Sequence, residues 1–506
     1  MDGTLEIEEE ANTSSNAPPI GRCLTPGRQA LADSMMKSVT ASVSKLRIGD
    51  PPTIYKVQQR IRQVNEVAYE PQIVSIGPYH NGKERLQGME EHKWIYLHSF
   101  LSPNPDHRLE DYLEAIEKLE DEARSCYSEK VGPQMGDEFV KMMVLDACFI
   151  VEFFLKFNHL NQMADWLKEK EQLLEDFKDP ILNTTGMMFL VGYDMFLVEN
   201  QIPFIVLQCI FMMACPVNLP HKLAEMALDF LDQFMHRNKE ILIKDSYCHL
   251  LHLFHSHLIP TGTHSKESNS TIESIPNKMP NLSCNHTVES VLNKFKNIRR
   301  FFPSSNKPQL AISNNPSPVR IMIIPCAAEL QLAGVKFKKK EKYSSILDVE
   351  FSNGVLEIPP LSIYDYSNVL FRNLVAFEQC YGKAKSHFTT YFWFMDCLVN
   401  TSNDVALIHR NEIIDHGLGS DEDVAQLFNR LCTGIFLNCE ESYLSDLQQK
   451  VQKHCKNKRN KWRAILKRDY FINPWSLISL IAASILLLLT ITQTFFTIFP
   501  YYRPRS

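Results

Sequence analysis

The chain has 506 residues, of which 44% are hydrophobic, enough to bury one large core or two to three ordinary ones. Lys and Arg number 53 against 59 Asp and Glu, and the imbalance is uneven along the chain. Eight basic residues fall between Val451 and Tyr470, and Arg503 and Arg505 lie at the end, leaving 43 basic and 58 acidic residues over 1–450, a net of −15. So acidic a body repels a phosphate backbone, which argues against nucleic acid as a partner. The thirteen cysteines include no C-x-x-C, are odd in number and sit partly inside apolar runs, as at Cys148. This pattern predicts reduced core thiols rather than a disulfide framework.

In chain order, residues 1–50 are rich in Ser, Thr, Ala, Pro and Glu and predict a disordered region. The start is acidic, with no apolar stretch behind it, so no signal peptide is expected. A first helical block is expected over 51–260. Within it Leu109, Tyr112, Leu113, Ile116, Leu119 and Ala123 recur at three- and four-residue spacing, which predicts an amphipathic helix. Phe139 to Phe157 is apolar nearly all round and predicts a central buried helix. Met187 to Val217 is also apolar, but Asp194, Glu199, Asn200, Gln201 and Pro203 interrupt it. It reads as a buried helix pair broken at 200–203, not as a membrane span.

Residues 261–320 are rich in Ser, Thr, Asn and Pro around one short helical candidate, Val288 to Phe302, and predict a variable flexible insert. The second block covers 321–450. Ile346–Phe351 and Val355–Ile358 flank Asn353-Gly354, a pair suited to the positive φ angles of a type I′ turn, so a β-hairpin is expected there. Helices are expected over Tyr366–Tyr381, Thr389–Asn400 and Asp421–Cys432, the last opened by a capping box of Ser420 and Asp423. A basic juxtamembrane neck follows over 451–474; Lys458, Arg459, Lys461, Arg463, Lys467 and Arg468 read either as facing lipid headgroups or simply as a topology determinant.

Trp475 to Phe499 is 25 residues without a charge. At about 1.5 Å per residue it exceeds a hydrocarbon core of about 30 Å, which predicts a transmembrane helix over 475–499 and a short tail over 500–506. The basic excess on its N-terminal side predicts a large domain facing the cytosol. Six N-x-[ST] sequons, three of them in the insert at Asn269, Asn281 and Asn285, pull the other way. The fold class is thus mainly α: a large helical domain with a minor β-hairpin and one C-terminal transmembrane helix.

Phosphate-loop, dinucleotide, nucleophile-elbow, H-E-x-x-H and kinase motifs are absent. Three candidates for chemistry remain. Cys248, His249, His252, His255 and His257 have metal-ligand spacing; the other reading is an amphipathic helix end with surface histidines. The Gly/Pro-rich stretch 75–83 offers Tyr79, His80 and Lys83 as a candidate interaction loop, or is a turn that docks Tyr79 on the core. Asp146, Asp194, Glu199 and Asp396 lie in apolar sequence; they can supply a carboxylate pair, or cap helices and meet Arg60, Arg62 or Arg372.

Several stretches carry a resemblance. They are Ala68-Tyr-Glu-Pro-Gln-Ile-Val-Ser-Ile-Gly-Pro-Tyr-His80, Met89-Glu-Glu-His-Lys93, Met143-Val-Leu-Asp-Ala-Cys-Phe-Ile150, Leu197-Val-Glu-Asn-Gln-Ile-Pro-Phe204, Phe371-Arg-Asn-Leu-Val-Ala-Phe-Glu-Gln-Cys-Tyr381 and Asn473-Pro-Trp475. In this order they resemble the plant domain-of-unknown-function 247 family, also called uncharacterised protein family 0481, over about residues 51–500. Ala147 stands where that family often has Gly. The resemblance implies a single-pass plant membrane protein with no established enzymatic activity and no catalytic residues to carry over. Some grass members look like self-incompatibility determinants. The expectation is a non-enzymatic membrane-anchored interaction or recognition protein with no cofactor, no metal and no evident small-molecule substrate; its partners would be a membrane and an unidentified protein. The alternative is a membrane-tethered enzyme of unrecognised class using the buried carboxylates.

Overall fold

The structure is a computed structural model that describes residues 26–48, 51–102, 107–129, 131, 135–167, 179–215, 221–244, 246–260, 323–437, 442–457 and 474–502. Two compact units divide the chain, 1–51 and 52–506. In the first, Pro26–Ile48 form helix α1, within the stretch whose composition predicts no regular structure. Pro26 suits the first helical turn, and Ala, Met, Leu, Gln and Lys behind it are good helix formers.

The second unit is built around one helix. Gly136–Leu167 (α6) buries every residue from Met142 to Phe154, as the all-round apolar run predicts. Around it pack Gln87–Leu101 (α3), Leu109–Glu117 (α4), Phe204–Ala214 (α8) and Lys222–Leu231 (α9). The amphipathic stretch 109–123 is two helices, α4 and Glu120–Ser125 (α5), with Tyr112, Ile116, Leu119 and Ala123 all buried. Gln59–Arg62 (α2) and Thr185–Met195 (α7) complete this side, and Leu250–Leu258 (α10) leads to the insert. The insert, its helical candidate at 288–302 included, lies outside the described residues.

Beyond it come Ala327–Leu332 (α11), β1 (Lys336–Lys339), β2 (Glu350–Ser352), β3 (Val355–Ile358) and β4 (Leu361–Ile363). Ser367–Cys380 (α12), His387–Leu398 (α13), Ser402–Arg410 (α14), β5 (Ile414–His416), Asp421–Leu431 (α15) and Ser445–Lys456 (α16) follow. The expected hairpin forms through Asn353 (φ 50°) and Gly354 (φ 79°), with Ser352 paired to Val355. Its first strand is shorter than the apolar run, because Ser345 to Val349 turn instead, through Asp348 N–H to Ser345 and Val349 N–H to Leu347. Two pairings are additional to the hairpin: β1 lies parallel to β3 in a sheet of order β1-β3-β2, and β4 lies parallel to β5. Ser420 caps α15 by accepting from Asp423 N–H, as expected.

The fold is therefore mainly α-helical with a small β region. Among the described residues, one helix is long and apolar enough to cross a membrane, Pro474–Tyr502 (α17), whose window Ile481–Ile498 is wholly unburied. The hydroxyls of Thr490, Thr492, Thr494 and Thr497 each donate to the carbonyl four residues back, at 2.7–2.8 Å, which hides their polarity inside the helix. Trp475 and Phe499 belong to this helix. Lys458, Arg459, Lys461, Arg463, Lys467 and Arg468 lie outside the described residues.

Candidate functional site

The buried polar side chains of the first block converge on one extended segment, Glu70 to Lys83. Pro71 and Pro78 lack N–H groups, so the six residues between Gln72 and Gly77 carry the donors that burial leaves unpaired. Five of those donors are satisfied by side chains. Asp194, at the end of α7, accepts from Gln72, Ile73 and Val74 at 2.7–2.8 Å. Asn200 accepts from Ile76 at 2.7 Å, and its amide donates to the carbonyls of Val74 and Asp194 at 3.0 Å. Asp146, on α6, accepts from Gly77 at 2.8 Å. The Lys93 ammonium from α3 donates at 2.7 Å to Ser75 O, to Asp146 and to Glu90.

The connector between α7 and α8 is shaped for this task. Gln201 donates to the carbonyls of Met195 and Leu197 at 2.7 and 2.8 Å, covering the acceptors left at the end of α7. Pro203 ends the connector and opens α8. From the second block, Asn373 accepts from Val198 N–H and donates to Ala68 O, joining the connector to the start of the segment. Gly77 has φ +73°, and a Cβ there would meet Gln201 O at 2.5 Å, so backbone lies against backbone.

The electrostatics follow from burial. Asp146, Asp194 and Glu199 are 1–2% exposed. Burial lifts the Asp194 carboxyl to about 6, against the pull of its three N–H donors. Burial also pushes the Asp146 carboxyl up, with Lys93 and Gly77 N–H pulling it part-way back. Burial works to lower the Lys93 pKa, but the Asp146 and Glu90 carboxylates outweigh it and hold the ammonium. Glu199 accepts from Val57 N–H at 2.7 Å and pairs with Arg62. Arg62 also meets Glu70, which Lys83 and Arg85 reach as well. Burial would raise the Glu70 carboxyl, but its hydrogen bonds to Lys83 and Arg62 hold it down at about 2.

Of the candidate loop residues, Tyr79 docks on the core as the turn reading expects. Its ring meets Tyr127 edge-on at 5.5 Å, and its hydroxyl accepts from Glu129 N–H. Lys83 pairs with Glu70. His80 is 2% exposed, its ring nitrogens 3.6 Å from Glu70 and 3.7 Å from Glu199, and neither makes a hydrogen bond among the described residues. Burial, helped by the Lys83 charge, lowers it to about 4.

Carboxylates so enclosed hold main chain in place; acid–base work needs an oxygen that a substrate can approach. Asp396 takes no part in this network; it is half-buried on α13, where burial lifts it to about 6. Arg62 meets a buried acid, as expected. Arg372 instead donates to Asn368 and Arg430 O, and Arg60 covers the Phe436 ring at 3.7 Å.

The histidine segment departs from both sequence readings. His249, His255 and His257 are buried, not on the surface, because α10 packs between the two blocks. Their nitrogens serve the fold. His249 caps α10 by accepting from His252 N–H and lies 3.1 Å from Thr53 O; His255 meets Glu378 at 2.7 Å; His257 meets Leu253 O at 3.0 Å. Among the described residues no three His, Cys, Asp or Glu side chains are grouped to hold a metal.

Lys93, Asn373 and Glu378 were not singled out from the sequence. Lys93 had a signal: it continues the apolar stripe of Met89, Tyr96, Leu97 and Phe100, where an ammonium demands a buried partner.

A profile of a family described as plant protein of unknown function, domain of unknown function 247, matches residues 54–489. The chain belongs to this family. The segment's own stretch, 68–80, and the stretches 143–150, 197–204 and 371–381 that pack on it all fall within the match. Two curated relatives come from Arabidopsis thaliana. "UPF0481 protein At3g47200" is 28% identical over 464 residues, 90% of this chain and 87% of the relative. "Putative UPF0481 protein At3g02645" is 21% identical over 513 residues, 88% and 90% of the two chains. No solved structure matches.

Proposed function

We propose that this family member is a non-enzymatic protein-interaction module tethered to a membrane by α17. One observation carries the non-enzymatic part. Asp146, Asp194 and Glu199, three of the four acids that an unrecognised enzyme would draw on, all accept main-chain N–H groups and are sealed from solvent. The tether rests on the length and charge-free composition of α17 and on the basic neck before it. That neck favours a domain facing the cytosol.

Protease protection of a chain tagged at both ends, with a glycosidase shift, tests the arrangement. Digestion of the N-terminal tag in intact vesicles, carbonate-resistant membrane association and no glycan are the expected results. Release by carbonate removes the tether. Protection of the tag with sugar on Asn269, Asn281 or Asn285 reverses the orientation and moves the partners outside the cytosol.

A further inference from the structure

A cleft of about 310 Å³ lies between β2 and α16, at the far edge of the three-stranded sheet. Its floor is apolar, from Leu347, Phe351, Leu444 and Leu447, all buried in the core. Its rim carries three carboxylates, Asp348, Glu350 and Asp446, against one ammonium, Lys450. Lys340 reaches Asp348 and Glu350 from outside, at 2.9 and 3.5 Å, while Asp446 is exposed and has no ion pair among the described residues.

The sheet adds a directional feature. In a two-residue hairpin the residues beside the turn, here Ser352 and Val355, exchange both main-chain bonds. Alternation then turns the N–H and C=O of Phe351 away from β3, toward the open edge. The other outer strand, β1, lies on the far side of β3, so among the described residues no strand pairs with that edge, which α16 flanks across the cleft. Val349 N–H is already bonded to Leu347 O, so the available pair is at Phe351. His454, whose ring meets Phe351 at 5.7 Å, packs on the turn end.

We propose that this cleft receives an extended segment of a partner protein that adds to β2 at Phe351 and carries a Lys or Arg facing Asp446 and Glu350. This names the partner chemistry for the interaction role proposed above and rests on that reading. Strand addition takes its affinity from main-chain bonds and its selectivity from alternate side chains, which the apolar floor and acidic rim provide here. The volume lies at the low end of ligand-sized cavities, enough for a short extended segment and too small for a folded element.

The test is selection of random phage-displayed peptides on the full-length chain in lipid nanodiscs, followed by affinity measurement on synthetic copies. Enriched peptides are expected to alternate apolar residues with Lys or Arg. They should bind the double variant Glu350→Lys/Asp446→Lys about tenfold or more weakly, both sites being exposed and tolerant of change. N-methylation of the peptide main chain should abolish binding at one position and spare its neighbours. Acidic or uncharged winners, or equal binding to the double variant, overturn the cleft while leaving an interaction role in place. No enrichment of any peptide removes both. Enrichment only on a chain lacking 266–316 also overturns it, because the cleft would then belong to the chain's own insert.

Discussion

Replacing Lys93 with Met isolates the energetics of the buried clamp. Methionine keeps the unbranched stem and lacks the terminal nitrogen, so the change removes one ammonium that makes three 2.7 Å bonds and leaves Asp146 with no counter-charge. Removing one partner of a buried pair costs about 3–5 kcal/mol, because the remaining charge stays uncompensated. The sign with pH follows. Without Lys93 the Asp146 carboxyl rises further above its unfolded value of about 3.9, so the folded variant holds a proton that the unfolded chain has released. The variant therefore loses stability as pH rises between those two values, and its deficit is smaller at acid than at neutral pH. Adding Asp146→Asn removes the stranded charge while keeping an oxygen for Gly77 N–H, so the double variant should be more stable than Lys93→Met alone. Urea unfolding of the full-length chain in mild detergent, followed by tryptophan fluorescence, reads all three as midpoint shifts. A cost below about 1 kcal/mol for the single variant, or a double variant no better than it, refutes the clamp as a coupled buried ion pair.

Three further outcomes follow from the same geometry. Gly77→Ala forces a side chain into positive φ and against Gln201 O; it should cost more than about 3 kcal/mol, checked by the same unfolding assay, where a loss below about 1 kcal/mol counts against the close approach. Asn200→Asp turns two donated bonds into contacts of a carboxylate with the Val74 and Asp194 carbonyls, and should destabilise by about 2–4 kcal/mol, more at neutral than at acid pH. His80, lowered to about 4 from about 6.5, binds fewer protons folded than unfolded, so its contribution is present above about 6.5 and lost as pH falls toward 4. His80→Gln should flatten the native stability profile in that window by roughly 3 kcal/mol, and unchanged slopes in paired titrations would refute the assignment.

The legible parts of the fold were those with a local cause. The all-round apolar run at 139–157 became α6, the Asn353-Gly354 pair fixed the hairpin, and Ser420 with Asp423 placed the start of α15. The break at Asn200 to Pro203 was visible because proline and two amides interrupt an apolar run. The parallel pairings of β1 with β3 and β4 with β5 were hidden, since such ladders join strands of three or four residues whose partners lie far away in sequence. The same holds at the clamp. That Asp146, Asp194 and Glu199 need partners follows from their apolar surroundings. That the partners are mostly the main-chain N–H groups of 57 and 72–77 does not, because main chain carries no sequence signal. The histidines misled for a related reason: their spacing fits a metal as well as it fits a capped helix pressed between two blocks.

The junction between the blocks has one more consequence. Asn373 bonds Ala68 and Val198, Glu378 meets His255, and Ser345 bonds Leu258 O, so material on either side of 261–320 completes the other's interior. Each half supplies partners for buried groups of the other, and none of these bonds involves the intervening stretch. A chain cut there and produced as two polypeptides has every one of them available for reassembly. The break would convert a covalent neighbour into a bimolecular one, with a cost set by concentration rather than by lost contacts. Complementation by such a pair would make the fold a split reporter whose two pieces find each other only as this molecule.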